Sequence, residues 1–360
     1  YQKTSRVIDY LFWYLGQEEF DRIMQKFYEE WKYKHPYPED LRKAFEEGTD
    51  KDVSWIFDDL IQTNKKLDYA VCKEKDGKIL VANKGMIHSP VSVTGLNNNE
   101  PVFSKWYEGF EGKKWLELPK NKEIDKIVLN YDAKMPEIYR QDNMIRTSGL
   151  FKRVEPVNLK FAGVIEDNRF SRIGFFPAMG WNNYNKYMLG AAFFNPFFPK
   201  KRFQYQVMPM YAFGSNDLAG YANFEYHIMP FKSKIENLRL SVSGIQYAYD
   251  NKQGDNFQRI KAEGEFIFRN ENARSRKDNK LTVNTIAASN VNDILADTEP
   301  DFTMFYNVEF VHSNGNPNNP YQIKTTLQAS SDFVKASIDA EYKVVYQYSK
   351  GLDIRLFAGT

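Results

Sequence analysis

The segment VKASIDAEYKVVYQY, which runs from Val334 to Tyr348, decides the fold of this chain. Its even-numbered positions are all apolar or aromatic: Val334, Ala336, Ile338, Ala340, Tyr342, Val344, Tyr346 and Tyr348. The residues between them are polar, with Val345 as the one exception. Successive side chains of a β-strand point to opposite faces, so the segment predicts a strand with one apolar and one charged face. Its length exceeds that of most strands in soluble proteins and suits a tilted strand that crosses a bilayer.

Segments of the same kind recur through the second half of the chain. In Phe257–Arg269, for example, Lys261 and Glu263 share one predicted face, opposite Ala262. The alternation slips by one residue near Gly244, which predicts a β-bulge there. The predicted strands are Tyr187–Asn195, Arg202–Tyr211, Leu218–Ile228, Asn237–Tyr249, Phe257–Arg269, Leu281–Ser289, Phe302–His312, Tyr321–Ser330, Val334–Tyr348 and Leu352–Thr360.

Two soluble architectures also produce alternating strands. A β-sandwich keeps its polar face in water, and a lipocalin-type barrel turns its apolar face inward. A membrane barrel is favoured by the length and number of the strands and by small residues on the apolar face, namely Ala262, Gly264, Ala336 and Ala340. The core of a soluble protein needs bulky side chains at such positions, whereas lipid tails fill the space beside small ones. We therefore predict an antiparallel transmembrane β-barrel of ten or more strands.

The composition is consistent with this class and excludes others. The chain has 360 residues, a net charge of +2 and 27% charged residues, so no basic excess points to a nucleic-acid partner. Aromatic residues make up 16% of the chain, as expected for aromatic girdles at two membrane interfaces. Cys72 is the one cysteine, so an internal disulfide and a thiolate metal site are both excluded.

The whole chain predicts a multidomain α + β fold. Apolar residues recur with helical periodicity over residues 1–66. The apolar stripes end at Gly16 and at Pro36, and Asp50 or Asp52 is expected to cap the last helix. Residues 67–146 contain short β segments around an Asp76-Gly77 turn and predict a small β-sandwich. Residues 147–186 form a linker leading into the barrel, which occupies 187–360. No export signal precedes Tyr1, and the last strand lacks a turn, so we expect a fragment whose barrel is incomplete at its C-terminus.

Catalytic motifs are missing from the sequence itself. It contains no HExxH, no GxSxG, no Walker loop and no paired GxGxxG. The four histidines (His35, His88, His227 and His312) lack metal-ligand spacing, and Glu299 and Asp301 are expected to be solvated turn residues rather than an acid–base pair. The residues alone therefore predict neither a complete active site nor a metal site.

The N-terminal region nevertheless resembles the zinc aminopeptidases of the aminopeptidase-N-like gluzincin family. The resemblance rests on Tyr1-Gln2-Lys3, on a helix that ends at Leu15-Gly16, and on the aromatic run from Phe27 to Pro36. It covers residues 1–146 and extends more loosely to the rest, which is similar to the C-terminal barrel of long family members from Bacteroidota-type Gram-negative bacteria. Thr4 departs from the glycine found in many members.

The resemblance implies roles for two residues. Tyr1 matches the tyrosine whose hydroxyl stabilises the oxyanion of the tetrahedral intermediate, and Lys3 matches an orienting lysine. The zinc ligands and the general base would lie upstream of Tyr1, so this chain itself is expected to bind no zinc. Whether it belongs to an active enzyme therefore stays open at the level of sequence.

Two functional hypotheses follow. In the first, the barrel tethers a zinc aminopeptidase-like domain, which trims peptide substrates, to the outer membrane of a Gram-negative bacterium. In the second, the chain is a non-catalytic scaffold subunit of an outer-membrane assembly for protein insertion, secretion or uptake. Other outer-membrane proteins would then dock on the loops Asn195–Lys201, Asn270–Asn279 and Asn290–Asp301. A porin-like channel is a weaker third hypothesis, because dense charges favour a filled lumen.

Overall fold

The structure is a computed structural model, and the chain divides into two compact units, residues 1–156 and 157–360. It describes residues 2–120, 122–163, 171–197, 201–249, 256–270, 272, 275–289, 302–347 and 350–360. Within these ranges, none of the helices has the length and apolar character needed to span a bilayer.

The first unit begins with the predicted helices. They are α1 (Gln2–Leu15), α2 (Gln17–Trp31) and α3 (Pro38–Gly48), followed by a π-helical turn at Ile56–Ile61. Gly16 separates α1 from α2 with φ 90°, a conformation that favours glycine, as the sequence predicted. Of the two predicted caps, Asp52 accepts a hydrogen bond at Oδ1 from Ser54 N at 2.9 Å, just before the π-helical turn, whose own N-cap residue is Trp55.

Two small sheets complete the first unit. The strands are β1 (Tyr69–Lys75), β2 (Lys78–Asn83), β3 (Val91–Asn97), β4 (Glu100–Tyr107), β5 (Lys113–Glu117), β6 (Lys126–Leu129) and β7 (Met144–Arg146). One sheet has the order β1-β2-β5 and the other β4-β3-β6-β7. The Asp76-Gly77 hairpin is confirmed, with φ of 52° and 72° at its two central residues. Helices and sheets share one hydrophobic core, in which Leu11 and Phe45 from the helices pack with Val71 and Ile127 from the strands.

The second unit is one large sheet of 12 strands within the described residues. They are β8 (Val157–Phe161), β9 (Ser171–Asn182), β10 (Lys186–Phe194), β11 (Phe203–Ala212), β12 (Asp217–Ile228), β13 (Ile235–Ala248), β14 (Asn256–Phe268), β15 (Lys277–Ser289), β16 (Phe302–Asn314), β17 (Tyr321–Ala329), β18 (Val334–Gln347) and β19 (Lys350–Gly359). Each strand pairs with its sequence neighbours, and β8 and β19 are the two edges. The β8–β9 pair is parallel and all the others are antiparallel.

The ten predicted strands correspond to β10 through β19, which confirms a mostly β second half. Strands β8 and β9 lie in residues 147–186, the range assigned to the linker. The predicted bulge at Gly244 is wrong, because the ladder passes through the pairs Ala222–Gly244 and Gly244–Ile260 without a shift. The irregularity of β13 lies between Ile235 and Asn237 instead.

Candidate membrane-facing surface

On one face of the sheet of the second unit, whole rows of paired residues that run across the strands contain no polar side chain. Residues directly opposite each other in neighbouring strands point to the same face, so the strand registers define these rows. One row consists of Phe161, Phe175, Phe193, Val207, Ala222, Gly244, Ile260, Ala287 and Met304. A second consists of Phe203, Tyr226, Leu240, Gly264, Val283, Val308, Leu327 and Ala336. We call this side the apolar face.

The opposite side, the polar face, has rows without apolar side chains. One row consists of Gln204, Glu225, Ser241, Glu263, Asn284, Asn307, Gln328 and Lys335. The next consists of His227, Arg239, Glu265, Thr282, Glu309, Thr326 and Ser337. The period of two in the sequence is therefore kept in register across most of the sheet.

From β12 to β16, exposure on the two faces is the reverse of that in a soluble protein. Along β16, Phe302, Tyr306 and Phe310 on the apolar face are exposed, Tyr306 to 51%. Asn307 and Glu309 on the polar face of the same strand are only partly exposed. Contiguous apolar patches larger than several hundred Å² are rare on soluble monomers and mark sites of contact with protein or membrane. The apolar face is therefore the candidate functional surface.

The height of the apolar face matches the hydrocarbon layer of a membrane. On β18 the aliphatic residues of this face extend from Val334 to Val344, and Tyr346 follows them. At about 3.4 Å per residue this distance is about 34 Å along the strand. A tilt of about 40° reduces it to about 26 Å along the membrane normal, close to the apolar band of about 25 Å in outer-membrane barrels.

Aromatic side chains border the apolar face near the β9–β10 and β11–β12 turns. Trp181 pairs directly with Tyr187 across the β9–β10 hairpin, and both side chains are exposed. Tyr211 and Phe213 are also exposed, with their rings edge to face and their centroids 5.2 Å apart. Amphipathic rings of this kind prefer the interface between lipid tails and head groups.

Polar groups end the apolar face near the opposite turns. The Nδ1 atom of His312 lies 2.7 Å from Asn279 Oδ1, and its Nε2 atom lies 3.1 Å from the Tyr321 hydroxyl. His312 shares its face with Phe310 and Val308, two and four residues before it on the same strand. The apolar band of β16 thus ends in a hydrogen-bonded cluster.

Charges on the polar face are paired across strands. Arg239 has three carboxylate neighbours: Glu263 at 2.9 Å, Glu265 at 3.2 Å and Glu225 at 3.6 Å. Lys261 forms a further pair with Glu263. We call Arg239 and its three glutamates the Arg239 cluster. Such pairing keeps ionised groups stable on a surface with restricted access to water.

Of the two site residues implied by the family resemblance, the structure describes Lys3. Tyr1 lies outside the described residues. Lys3 Nζ donates a hydrogen bond to the backbone oxygen of Thr63 at 2.8 Å, which ties the start of α1 to the end of the helical region. Partial burial, and then the charge of Lys66, lower the pKa of Lys3.

Several other predicted positions lie wholly or partly outside the described residues. Glu299, Asp301 and the loop Asn290–Asp301 lie outside the described residues, as do parts of the two other predicted docking loops. Among the residues that the structure describes, no three His, Cys, Asp or Glu side chains are grouped to hold a metal ion.

A buried carboxylate in the first unit was missed by the sequence analysis. Glu137 Oε1 accepts a hydrogen bond from Tyr69 N at 3.0 Å, and Oε2 accepts from Asn130 Nδ2 and Asn143 Nδ2, both at 2.7 Å. Burial raises the pKa of Glu137 to about 8, against the opposing effect of these three donors. We call Glu137 and its three donors the Glu137 cluster. Its hydrogen bonds hold the segment between β6 and β7 against β1, which is a structural role.

Comparisons with known proteins give little further information. No family model and no curated protein matches the chain. Among solved structures, the translocation pore of the P pilus usher, PapC, is similar over 79% of this chain and 68% of that chain. Its sequence identity is 7% and its TM-score is 0.19, and a likeness of that degree supports no argument about fold or function.

Proposed function

We propose that the second unit lies in the outer membrane of a Gram-negative bacterium as strands of a transmembrane β-barrel, and that it anchors the first unit there. The observation that carries this proposal is the reversed exposure of the two faces from β12 to β16: Val242 and Tyr306 on the apolar face are exposed, whereas Glu263 and Asn284 on the polar face are partly or fully buried. Lipid tails would cover the apolar face, and the paired charges would line the interior.

Glycines on the apolar face favour lipid over a second protein layer as its cover. A Cβ atom built on Gly264 would meet its nearest heavy atoms at 3.6 and 3.7 Å, and one on Gly244 at 3.9 Å. Neither contact is strained, so packing within the sheet does not require glycine at these positions. Against a close-packed protein partner, the space beside these glycines would remain as cavities, which cost stability. Fluid lipid tails fill that space.

Vesicle flotation tests the membrane proposal. We expect the purified chain, refolded from urea into phospholipid vesicles, to float with the lipid and to remain there after an alkaline carbonate wash. A monodisperse, folded and detergent-free chain that stays in the aqueous fraction would overturn the proposal.

For the first unit we propose the C-terminal part of an aminopeptidase-like domain, on the strength of the Tyr1-Gln2-Lys3 resemblance. The described residues do not fit a zinc site of their own, because they provide no suitable group of ligands. We therefore expect no stoichiometric zinc in the purified chain by elemental analysis. Tight equimolar zinc would contradict this expectation.

The role of Tyr1 can be tested in the full-length protein. Tyr1→Phe should lower turnover of an aminoacyl-anilide substrate by at least tenfold without changing zinc content, because it removes a donor to the oxyanion. Unchanged turnover would leave Tyr1 with a structural role.

A scaffold without catalysis is the second candidate, and the Arg239 cluster favours it over a porin-like channel. Charges of both signs paired across the polar face indicate a filled interior rather than a wide pore. No turnover by the full-length protein, together with co-purification of outer-membrane proteins, would select the scaffold. Single-channel conductance in planar bilayers would instead select the porin-like alternative.

A further inference from the structure

The sheet β1-β2-β5 of the first unit has an outward face that consists mostly of lysines around a tryptophan. On β2 and β5, Ile79 and Leu116 are buried, so their neighbours along the strands point outward. The strand register extends this outward side to β1. We call it the lysine face, and its members are Lys73, Leu80 and Trp115 in one row, Lys75, Lys78 and Glu117 in the next row, and Lys113 on β5.

Positive charge exceeds negative charge on the lysine face. All four of its lysines are exposed. Its one carboxylate, Glu117, pairs with Lys78 at 2.8 Å, and Asp76 in the adjoining turn lies 3.7 Å from Lys75. The other two lysines, Lys73 and Lys113, form no ion pair with any residue that the structure describes.

Two further lysines enlarge this basic region. The Lys78 ammonium lowers the pKa of the Glu117 carboxyl, and the charges of Lys120 and Lys105 lower it further. Both are exposed and lie beyond the lysine face itself. Because the whole chain has a net charge of only +2, the excess of positive charge here is a local feature of this surface.

The tryptophan shows what kind of partner fits this surface. Trp115 is 42% exposed, and Leu80 beside it is partly exposed. Lysines on β1 and β5, the two edges of this sheet, protect the edges from pairing with other chains. An exposed indole among them works against that protection, because it is an apolar contact site. Indole rings do, however, favour the head-group layer of a membrane, where lysines also meet lipid phosphates.

We propose that the lysine face binds the phosphate-bearing head groups of an anionic membrane surface, with Trp115 at the level of those head groups. The lipid is that of the bilayer which holds the second unit, so the proposal rests on the membrane function. An anchor keeps the first unit at a high effective concentration beside that lipid, so a weak contact suffices.

Acetylation of lysines, followed by mass spectrometry, tests the proposal on the unaltered chain. The chain is refolded into vesicles of phosphatidylcholine, with or without phosphatidylglycerol, and treated briefly with an amine-reactive reagent. With phosphatidylglycerol at low salt, Lys73, Lys78 and Lys113 should react at least about fivefold more slowly, and high salt should remove this protection. Lys26 on α2 and Lys43 on α3 are exposed elsewhere in the same unit, and their rates should agree within twofold in the two lipids.

Charge reversal provides the matched variants. Lys73→Glu combined with Lys113→Glu should abolish the protection of Lys78 by anionic lipid. Lys26→Glu combined with Lys43→Glu changes the net charge equally and should leave that protection within twofold of the wild type. Trp115→Ala should reduce the protection at least twofold, because the indole no longer enters the head-group layer.

The outcomes separate this proposal from the membrane function. If the chain withstands the carbonate wash but the lysine face reacts equally in both lipids, the lysine-face proposal is wrong and the membrane function stands. If the chain floats only with phosphatidylglycerol and is released by salt, the lysine face binds lipid and the barrel proposal fails. No flotation with either lipid overturns both. Protection of the same lysines by an added DNA oligonucleotide or polyglutamate, but not by anionic vesicles, would assign a different partner and overturn the lipid proposal.

Discussion

A lysine in the middle of the apolar face distinguishes lipid from water as its surroundings. Val242 lies near the centre of β13, is 50% exposed, and pairs with Phe224 and Ala262 on the apolar face. Its chain neighbour Ser241 points to the polar face, between Glu225 and Glu263. Val242→Lys and Ser241→Lys therefore add the same charge at nearly the same depth but on opposite sides of the sheet.

The expected magnitudes follow from this geometry. If tails cover Val242, a lysine at mid-depth costs about 2–4 kcal/mol, or roughly 30- to 900-fold in the folding equilibrium. If water covers it, the side chain is already half exposed and the change stays within about 0.5 kcal/mol. Ser241→Lys introduces a cation between two carboxylates, so we expect it to cost less than about 1 kcal/mol in either case.

Urea unfolding of vesicle-inserted protein, followed by tryptophan fluorescence, measures both free energies. The wild type and the two variants are compared at equal lipid ratio, and unchanged m-values are required before the midpoints are converted to free energies. Equal shifts for Val242→Lys and Ser241→Lys, within about 0.5 kcal/mol, would refute the assignment of lipid to the apolar face.

Three further predictions concern interactions described above. Because burial raises the pKa of Glu137 to about 8 from 4.5, the folded first unit binds a proton more tightly than the unfolded chain. Its unfolding free energy should fall as the pH rises from 5 to 8, and Glu137→Gln should flatten that slope in urea titrations at each pH. Arg239→Leu should lower the unfolding free energy by at least about 2 kcal/mol in urea unfolding in vesicles, because three carboxylates lose their shared cation. The control Lys280→Leu breaks one partly exposed pair with Glu265 at 3.4 Å and should cost less than about 1 kcal/mol. Tyr10→Phe should destabilise the first unit by about 1–3 kcal/mol in thermal unfolding, because its buried hydroxyl bonds Ser89 Oγ at 3.0 Å and the Pro90 carbonyl; no loss would contradict a role for this bond.

Regular alternation predicts most strands of the second half, and most strands without it were missed. Strands β12 to β19 have a period of two over most of their length, and each was expected near its observed bounds. Strands β10 and β11 were also expected, although β10 has apolar residues on both faces. Strand β9 contains Pro177 and the adjacent Phe175 and Phe176, which break the pattern. Strand β4 begins with Glu100-Pro101, a pair that favours a turn in sequence and here opens a strand through pairing with β3.

The candidate surface could be predicted in kind but not in detail. Alternation alone indicates that an apolar face exists, whereas the cross-strand rows depend on register, which the loops determine. The Glu137 cluster was beyond sequence reasoning for a different reason. Glu137 and its donor Tyr69 are 68 residues apart, so no local pattern links them.

The core that the helices and strands of the first unit share has a consequence for the cooperativity of its unfolding. Tyr10 of α1 packs on Trp55, with ring centroids 4.6 Å apart, and its hydroxyl reaches Ser89 beside β3. Helices and strands that share buried side chains in this way melt together as one cooperative block. Proteolytic nicking near residue 66 should therefore be slow in the native state, and excised helices should not refold alone. Any motion of this unit should accordingly carry the helices and both small sheets as one rigid body.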